Sequence, residues 1–280
     1  MKRFSYQQVD VFSAVALKGN PLAVVLAADG VTDVEMATFA HWTNLSETTF
    51  LLPPTDPTAD YRVRIFTPER ELPFAGHPTL GSCHAWLAAG GVPKADLVVQ
   101  ECGVGLIRIR RDGPRLAFAA PPLMRSGPVD DQTLATIARG IGVEPSAILA
   151  AQWADNGPGW VAAMLGSRAE LLALQPDYSK LGGLKLGVVA PWDPAVDGDD
   201  AQYEVRALVS GSPPKEDPVT GSLNAAIAQW LIGAGLAPDS YVASQGTVLG
   251  RAGRVFVDKL GDDIWVGGHS ITVIDGSVAF

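Results

Sequence analysis

Four side chains in this 280-residue sequence stand where they could move protons or hold a small anion: Glu47, His77, Asp217 and Ser222. Glu47 lies in Asn44-Leu45-Ser46-Glu47-Thr48-Thr49-Phe50, a polar cluster that opens an apolar strand. Alternation puts Glu47, Thr49 and Leu51 on one face. A carboxyl beside Leu51 would be half buried, burial raises its pKa, and a raised pKa suits a general base near neutral pH. A strand-edge glutamate in water fits the same residues at least as well. Asp217, in Lys215-Glu216-Asp217-Pro218-Val219-Thr220-Gly221-Ser222, is a second candidate proton carrier or a plain loop acid. His77 is one of four histidines, with His41, His84 and His269. A lone histidine is more often structural than catalytic, but one placed next to Gly76 at a helix start suits proton transfer or a hydrogen bond to a ligand.

Gly76-His77 and Gly221-Ser222 both occupy loop-to-helix junctions. Backbone N–H groups in a first helical turn lack intrahelical acceptors and attract anions, and glycine lets a ligand approach the backbone. Gly76, His77, Gly221 and Ser222 are therefore the candidate substrate-binding residues, cradling a carboxylate. For either glycine alone, turn geometry is the simpler explanation; two at matched places favour a ligand. No metal site is indicated: His77 and His84 are seven residues apart, and there is no HExxH. Gly103-Val104-Gly105 lacks the third glycine of a dinucleotide fingerprint, and neither a GxxxxGK[ST] phosphate loop nor a GxSxG elbow occurs. Arg108 and Arg110 alternate with Ile107 and Ile109, as on a solvated strand face. Trp153 and Trp160 are read as core packing in preference to a pocket lining.

The elements that carry these residues repeat. Tyr61 to Phe66 alternates as a strand, and a Pro-rich loop follows. From Leu80 to Ala89 runs an apolar helix that stops at Gly90-Gly91. Tyr203 to Val209 is again a strand, Ser210 to Gly221 a loop with Gly211, Pro213, Pro214 and Pro218, and Ser222 to Ile232 a helix stopped at Gly233. Both helices contain Trp-Leu, at Trp86-Leu87 and Trp230-Leu231. Downstream, Gln100-Glu101-Cys102-Gly103 and Ala243-Ser244-Gln245-Gly246 each lead to two strands joined at a glycine turn, Asp112-Gly113 and Gly261-Asp262. The expected plan is an internal duplication with strands around one apolar helix in each half, pseudo-two-fold symmetry, and a ligand in the cleft between the halves. Pro121-Pro122 to Pro128 reads as the connection. Nearer the start, residues 4 to 12 and 22 to 26 form a hairpin across Lys18-Gly19-Asn20-Pro21, Thr32 caps a helix running to Asn44, and Glu47 to Leu52 is a strand.

Composition agrees. Acidic residues outnumber Lys and Arg by 30 to 21, and the net charge of -9 argues against nucleic acid as a partner. With 47% hydrophobic and 18% charged residues the chain has material for a sizeable core. Its 30 glycines and 21 prolines disfavour a helical bundle. Two cysteines, Cys83 and Cys102, make no disulfide framework and fit a reducing compartment. No signal peptide and no apolar run of about 18 residues appears, so the expectation is a cytoplasmic protein with no membrane partner.

Four ordered motifs resemble those of the phenazine-biosynthesis isomerase-like (PhzF-like) family, which shares the diaminopimelate epimerase fold: Asp10-Val11-Phe12 with Gly19-Asn20-Pro21; Asn44 to Phe50; Phe66-Thr67-Pro68 with Glu71-Leu72-Pro73-Phe74-Ala75-Gly76-His77-Pro78-Thr79; and Asp217 to Ser222. The resemblance covers essentially the whole chain. It implies an α+β fold of two pseudo-symmetric domains, each a curved, mostly antiparallel sheet wrapped around a central helix, with the active site between them. The domains would be residues 1–122 and 129–270, and in such proteins the last strand, about 271–280, can return to the first. It implies a homodimer, no cofactor, and a small-molecule carboxylate substrate, with Glu47 as the catalytic acid/base and His77, Asp217 and Ser222 around the substrate. The implied activity is that of a cofactor-independent isomerase similar to trans-2,3-dihydro-3-hydroxyanthranilate isomerase; the alternatives are an amino-acid racemase or epimerase of the same fold, or a non-catalytic binding protein. The epimerases use two cysteines at the helix junctions. Here Ala75 and Pro218-Val219 stand there, which disfavours a two-thiol mechanism.

Overall fold

The computed structural model describes residues 2–211 and 215–280, and the chain divides into two compact units, residues 1–119 with 267–280, and residues 120–266. Pro213 and Pro214 of the expected loop lie outside the described residues.

The first unit contains β1 (Arg3–Val11), β2 (Asn20–Val25), α1 (Asp33–Thr43), β3 (Thr48–Leu52), β4 (Tyr61–Phe66), β5 (Glu71–Leu72), α2 (Gly76–Ala88), β6 (Val98–Cys102), β7 (Gly105–Asp112) and β8 (Arg115–Ala119). β1 and β2 form the expected hairpin, with Val11 opposite Asn20. The Asp10 carboxylate holds the connecting loop by accepting from the backbone N–H groups of Lys18 and Gly19 at 2.8 and 2.9 Å. α1 has the expected Thr32 cap, completed by Glu35 as a capping box, and ends at Asn44 in the left-handed region. β2 pairs with β3, β3 with β4, β4 with β6, β6 with β7 and β7 with β8. The returning end of the last strand pairs with both β8 and β1, so the strands of this unit close into a ring. Two of these pairings, β2–β3 and β4–β6, are parallel.

In β4, Tyr61, Val63 and Ile65 are buried, whereas Arg62 and Arg64 are not, the period-two pattern of a sheet with one covered face. α2 is buried from Gly76 through Cys83 and again at Ala85, and it packs on β1, β2, β3, β6 and β8. A helix buried nearly all round needs small residues where strands come closest. At Gly81 a Cβ would stand 2.5 Å from Leu22 Cδ2 and 2.8 Å from Val11 Cγ2.

The second unit contains β9 (Arg125–Pro128), α3 (Asp131–Ile141), β10 (Ala150–Asp155), β11 (Trp160–Met164), α4 (Arg168–Ala173), β12 (Lys185–Pro191), α5 (Pro194–Asp197), β13 (Tyr203–Val209), β14 (Lys215–Asp217), α6 (Gly221–Gly233), β15 (Ser240–Gln245), β16 (Gly253–Leu260) and the start of β17 (Asp263–Ala279). The sheet runs β9–β10–β11–β12–β13–β15–β16, with β11–β12 and β13–β15 parallel and β14 also on β13. α6 packs on β10, β11 and β16 and is buried at Leu223, Asn224, Ala225, Ala226, Ile227 and Ala228. Ile137, Ile141, Leu165, Leu171, Leu186 and Val188 form a separate core beneath α3 and α4.

Two expectations need correction. The stretch up to Pro128 is not all connection, because Arg125–Pro128 pairs antiparallel with β10; Pro121, Pro122 and Pro128 hide a strand whose partner is supplied by tertiary contact. The segment from Ser210 to Gly221 is not all loop either, since Asp217 lies opposite Ala207 in β14. Among the described residues, no helix is long and apolar enough to cross a membrane.

Candidate active site

Glu47 falls one residue before β3, not within it. It follows the turn that ends α1, where the Thr43 and Thr48 hydroxyls meet at 3.1 Å, and its side chain is 18% exposed. Burial is thus greater than strand alternation implied, and it has another source: the carboxylate lies against the start of α2, with Glu47 Oε2 at 3.2 Å from His77 Nδ1. His77 is 4% exposed. A carboxylate and an imidazole at this distance form an ion pair when the imidazole is protonated, and both side chains are largely shielded from solvent.

The start of α2 is held by a chain of side-chain bonds. Ala75, the residue before the helix, has no side chain able to cap it, and Pro78 has no N–H. The Thr79 hydroxyl turns back to the Ala75 carbonyl at 2.9 Å, and the buried Gln100 amide donates to the Thr79 hydroxyl oxygen at 3.0 Å. Tyr61 in turn donates to Gln100 at 3.0 Å. This chain of bonds ties the helix start to β4 and β6.

In the second unit Asp217 ends β14 and Ser222 opens α6. The Thr220 hydroxyl donates to Asp217 Oδ2 at 2.5 Å. Threonine is a good capping residue, yet Thr220 makes no cap bond to α6, because its side chain is engaged elsewhere. Ser222 Oγ accepts from the Trp160 indole N–H at 3.0 Å, and the Ser222 carbonyl accepts from Asn156 Nδ2 at 2.8 Å. Trp160 is core, as expected, at 3% exposure, and it also orients Ser222. Its role in orienting Ser222 was not legible, since the bond spans 62 positions in the chain. Asn156 and Gln245 were missed for the same reason. One step upstream of Asp217, the Glu216 carboxylate receives Arg206 Nε and Nη2 at 3.0 and 2.8 Å. In the first unit Arg64 and Glu71 also make a two-pronged contact, at 2.8 and 2.7 Å.

Glu47 and His77 are therefore brought together in one unit, and Asp217, Gly221 and Ser222 gather at one junction in the other. Neither cysteine stands at a helix start: Cys83 lies within α2, where burial pushes its thiol up to about 12, and Cys102 ends β6. An open cavity of about 500 Å3 beside β4 and β5 is lined by Arg62, Arg64, Glu71, Pro73 and Cys102, and by none of the predicted site residues. Among the described residues no group of three His, Cys, Asp or Glu is placed to hold a metal ion.

The model of the family described as phenazine biosynthesis-like protein matches residues 9–276. Antisense-enhancing sequence 1 of Schizosaccharomyces pombe is 34% identical, with 99% of each chain covered. An uncharacterised isomerase of Mesorhizobium japonicum is 33% identical, again over 99% of each. The trans-2,3-dihydro-3-hydroxyanthranilate isomerase of Pseudomonas aeruginosa is 35% identical over 63% of this chain and 62% of its own. Among solved structures, a PhzF-family phenazine biosynthesis protein of Bacillus anthracis superposes with a TM-score of 0.84 at 22% identity, covering 100% of both chains, a likeness of fold.

Proposed function

The chain belongs to the phenazine biosynthesis-like protein family, and on that premise we propose that it is an isomerase that moves a proton within a small carboxylate, without a cofactor. The observation that carries this reading is the 3.2 Å contact between Glu47 and His77 at the start of α2. Proton migration between two carbons needs one group that takes the proton from the first and returns it to the second. As carboxylate, Glu47 accepts a C–H proton; as carboxylic acid it delivers that proton to the other carbon, and an enol so formed tautomerises to the ketone. His77 holds the carboxyl in place through both steps. Gly76 and His77 begin α2 and Gly221 and Ser222 begin α6, and the first turn of either helix suits a substrate carboxylate; Asp217 is a second candidate proton carrier. The substrate class is a dihydroaromatic amino acid, on the similarity to the Pseudomonas enzyme.

The same reading treats the two units as repeats of one plan, each a curved sheet about one helix. Three repeated details support it. Arg64–Glu71 and Arg206–Glu216 are matching pairs. Gly103 comes close to Pro73, as Gly246 does to Pro218. Thr79 and Asn224, each four residues past the residue before its helix, both bond back to that residue's carbonyl. The reading extends to a homodimer, which light scattering on the purified protein checks, and to a cytoplasmic location.

Solvent deuterium incorporation into trans-2,3-dihydro-3-hydroxyanthranilate tests the proton transfer. Glu47→Gln keeps the shape and removes the base, so exchange should drop about 100- to 10,000-fold. Undiminished exchange in that variant removes Glu47 from the mechanism.

A further inference from the structure

Gln245 is the last residue of β15 and is fully buried. A primary amide has two N–H donors and two acceptor positions, and a buried one must place them all. Gln245 does. Its Nε2 donates to the Asp217 carbonyl and to the Thr220 hydroxyl oxygen, both at 3.0 Å, and its Oε1 accepts from the Thr220 backbone N–H at 3.0 Å and from Asn224 Nδ2 at 2.8 Å. Asn224 also donates to the Thr220 carbonyl at 2.9 Å. One side chain therefore fixes the backbone at both ends of Asp217-Pro218-Val219-Thr220.

The consequence falls on the Thr220 hydroxyl. One of its lone pairs accepts from Gln245 Nε2, and its proton points to Asp217 Oδ2 at 2.5 Å. Thr220 is thereby kept from capping α6, and the Asp217 carboxylate is held in one orientation. The first unit has a related device: Gln100, also fully buried, donates to Thr79, which lies at the position in α2 that Asn224 occupies in α6. Both helix starts are set by a buried glutamine on a neighbouring strand.

We infer that Gln245 is a positioning residue for the proposed reaction, acting through Thr220 to aim the Asp217 carboxylate and to fix the start of α6 at Ser222. This rests on the reading that Asp217 and Ser222 face the substrate. Two measurements separate it from that reading: deuterium exchange into trans-2,3-dihydro-3-hydroxyanthranilate, and the backbone amide signals of residues 217–222, excluding the proline, by nitrogen-15 NMR of the ligand-free protein. Gln245→Met, of similar shape and without amide bonds, should lower kcat about 100-fold, as a displacement near 1 Å does, with a much smaller change in KM. Its amide signals at 217–222 should shift while those around Glu47 and His77 stay. Thr220→Val should give the same loss of kcat, and the double variant should lose no more than either single one. Gln245→Glu keeps the acceptor and regains a donor only when protonated, so its activity should rise toward acid pH in a step the wild type lacks. That variant and Thr220→Val carry the test if Gln245→Met does not fold. Wild-type kcat, a wild-type pH profile and unmoved amide signals in the folded variants overturn the inference; so does additive loss in the double variant. Wild-type protein that exchanges no deuterium instead overturns the functional reading, and the amide signals then decide the positioning alone.

Discussion

Arg206–Glu216 and Arg64–Glu71 have nearly the same two-pronged geometry and very different surroundings, so they should differ sharply in what they contribute to stability. The side chains of Arg206 and Glu216 are 6% and 7% exposed; those of Arg64 and Glu71 are 23% and 42% exposed. Glu216→Gln leaves a guanidinium buried without its counter-charge, a loss of about 3–5 kcal/mol for such pairs. Arg206 Nη1 retains the carbonyls of Leu171 and Leu174 at 3.2 and 3.0 Å, so the lower figure applies. For a unit of roughly 150 residues each kcal/mol moves Tm by about 3 °C, so its transition should fall by about 9 °C. Glu71→Gln breaks a pair that water already screens, worth about 1 kcal/mol or less, and its transition should move by no more than about 3 °C. Differential scanning calorimetry on both variants measures the difference. Replacing both Arg206 and Glu216, by Met and Leu, should recover part of the loss, because it removes the unpaired charge but also the bonds from Arg206 to the Leu171 and Leu174 carbonyls. Equal shifts for Glu216→Gln and Glu71→Gln would refute the reasoning from burial.

The Cys83 thiol, pushed up to about 12 by burial, has on the order of one part in 10,000 as thiolate at pH 8, and burial also raises that of Cys102. A disulfide reagent should therefore modify Cys83 slowly in native protein and promptly in denaturant; prompt modification of Cys83 in folded protein contradicts its placement. Gly81→Ala gains up to about 1 kcal/mol of helix propensity but drives a Cβ into Leu22 and Val11, and should cost about 1–3 kcal/mol net, read as a lower urea midpoint. Burial holds His84 below the ordinary histidine range, so below pH 6.5 the unfolded chain binds protons that the folded chain refuses. Its contribution is full above 6.5 and is lost as pH falls from there toward the lowered value. His84→Asn should flatten the stability profile in that window, and a profile unchanged by the substitution refutes the assignment.

The elements that carry their own start and stop signals were legible from residues alone. Thr32 marks one end of α1 and Asn44 the other. Tyr203–Val209 matches its expected bounds, and the helices after Gly76 and Gly221 were expected from apolar runs closed by glycine. The short strands β9 and β14 were not legible, because each exists through its partner, β10 or β13, and contains no period of its own. The candidate site residues divide the same way. Glu47, His77, Asp217 and Ser222 stand at element boundaries that the chain announces. Gln245, Asn156 and Arg206 act on those boundaries from distant positions, and a buried amide in a strand looks locally like any other strand residue.

The last strand begins in the second unit at Asp263 and ends in the first, where it pairs with β1 and β8 and where Phe280 packs on Phe4, Phe39 and Phe50. Read in the order of synthesis, the ring of the first unit has a gap until residues 267–280 leave the ribosome. During that interval β1 and β8 are exposed edges, open to pairing with other chains. Residues 120–266 are continuous in sequence. The unit made second can finish folding first, and the chain's earliest strands wait for its last.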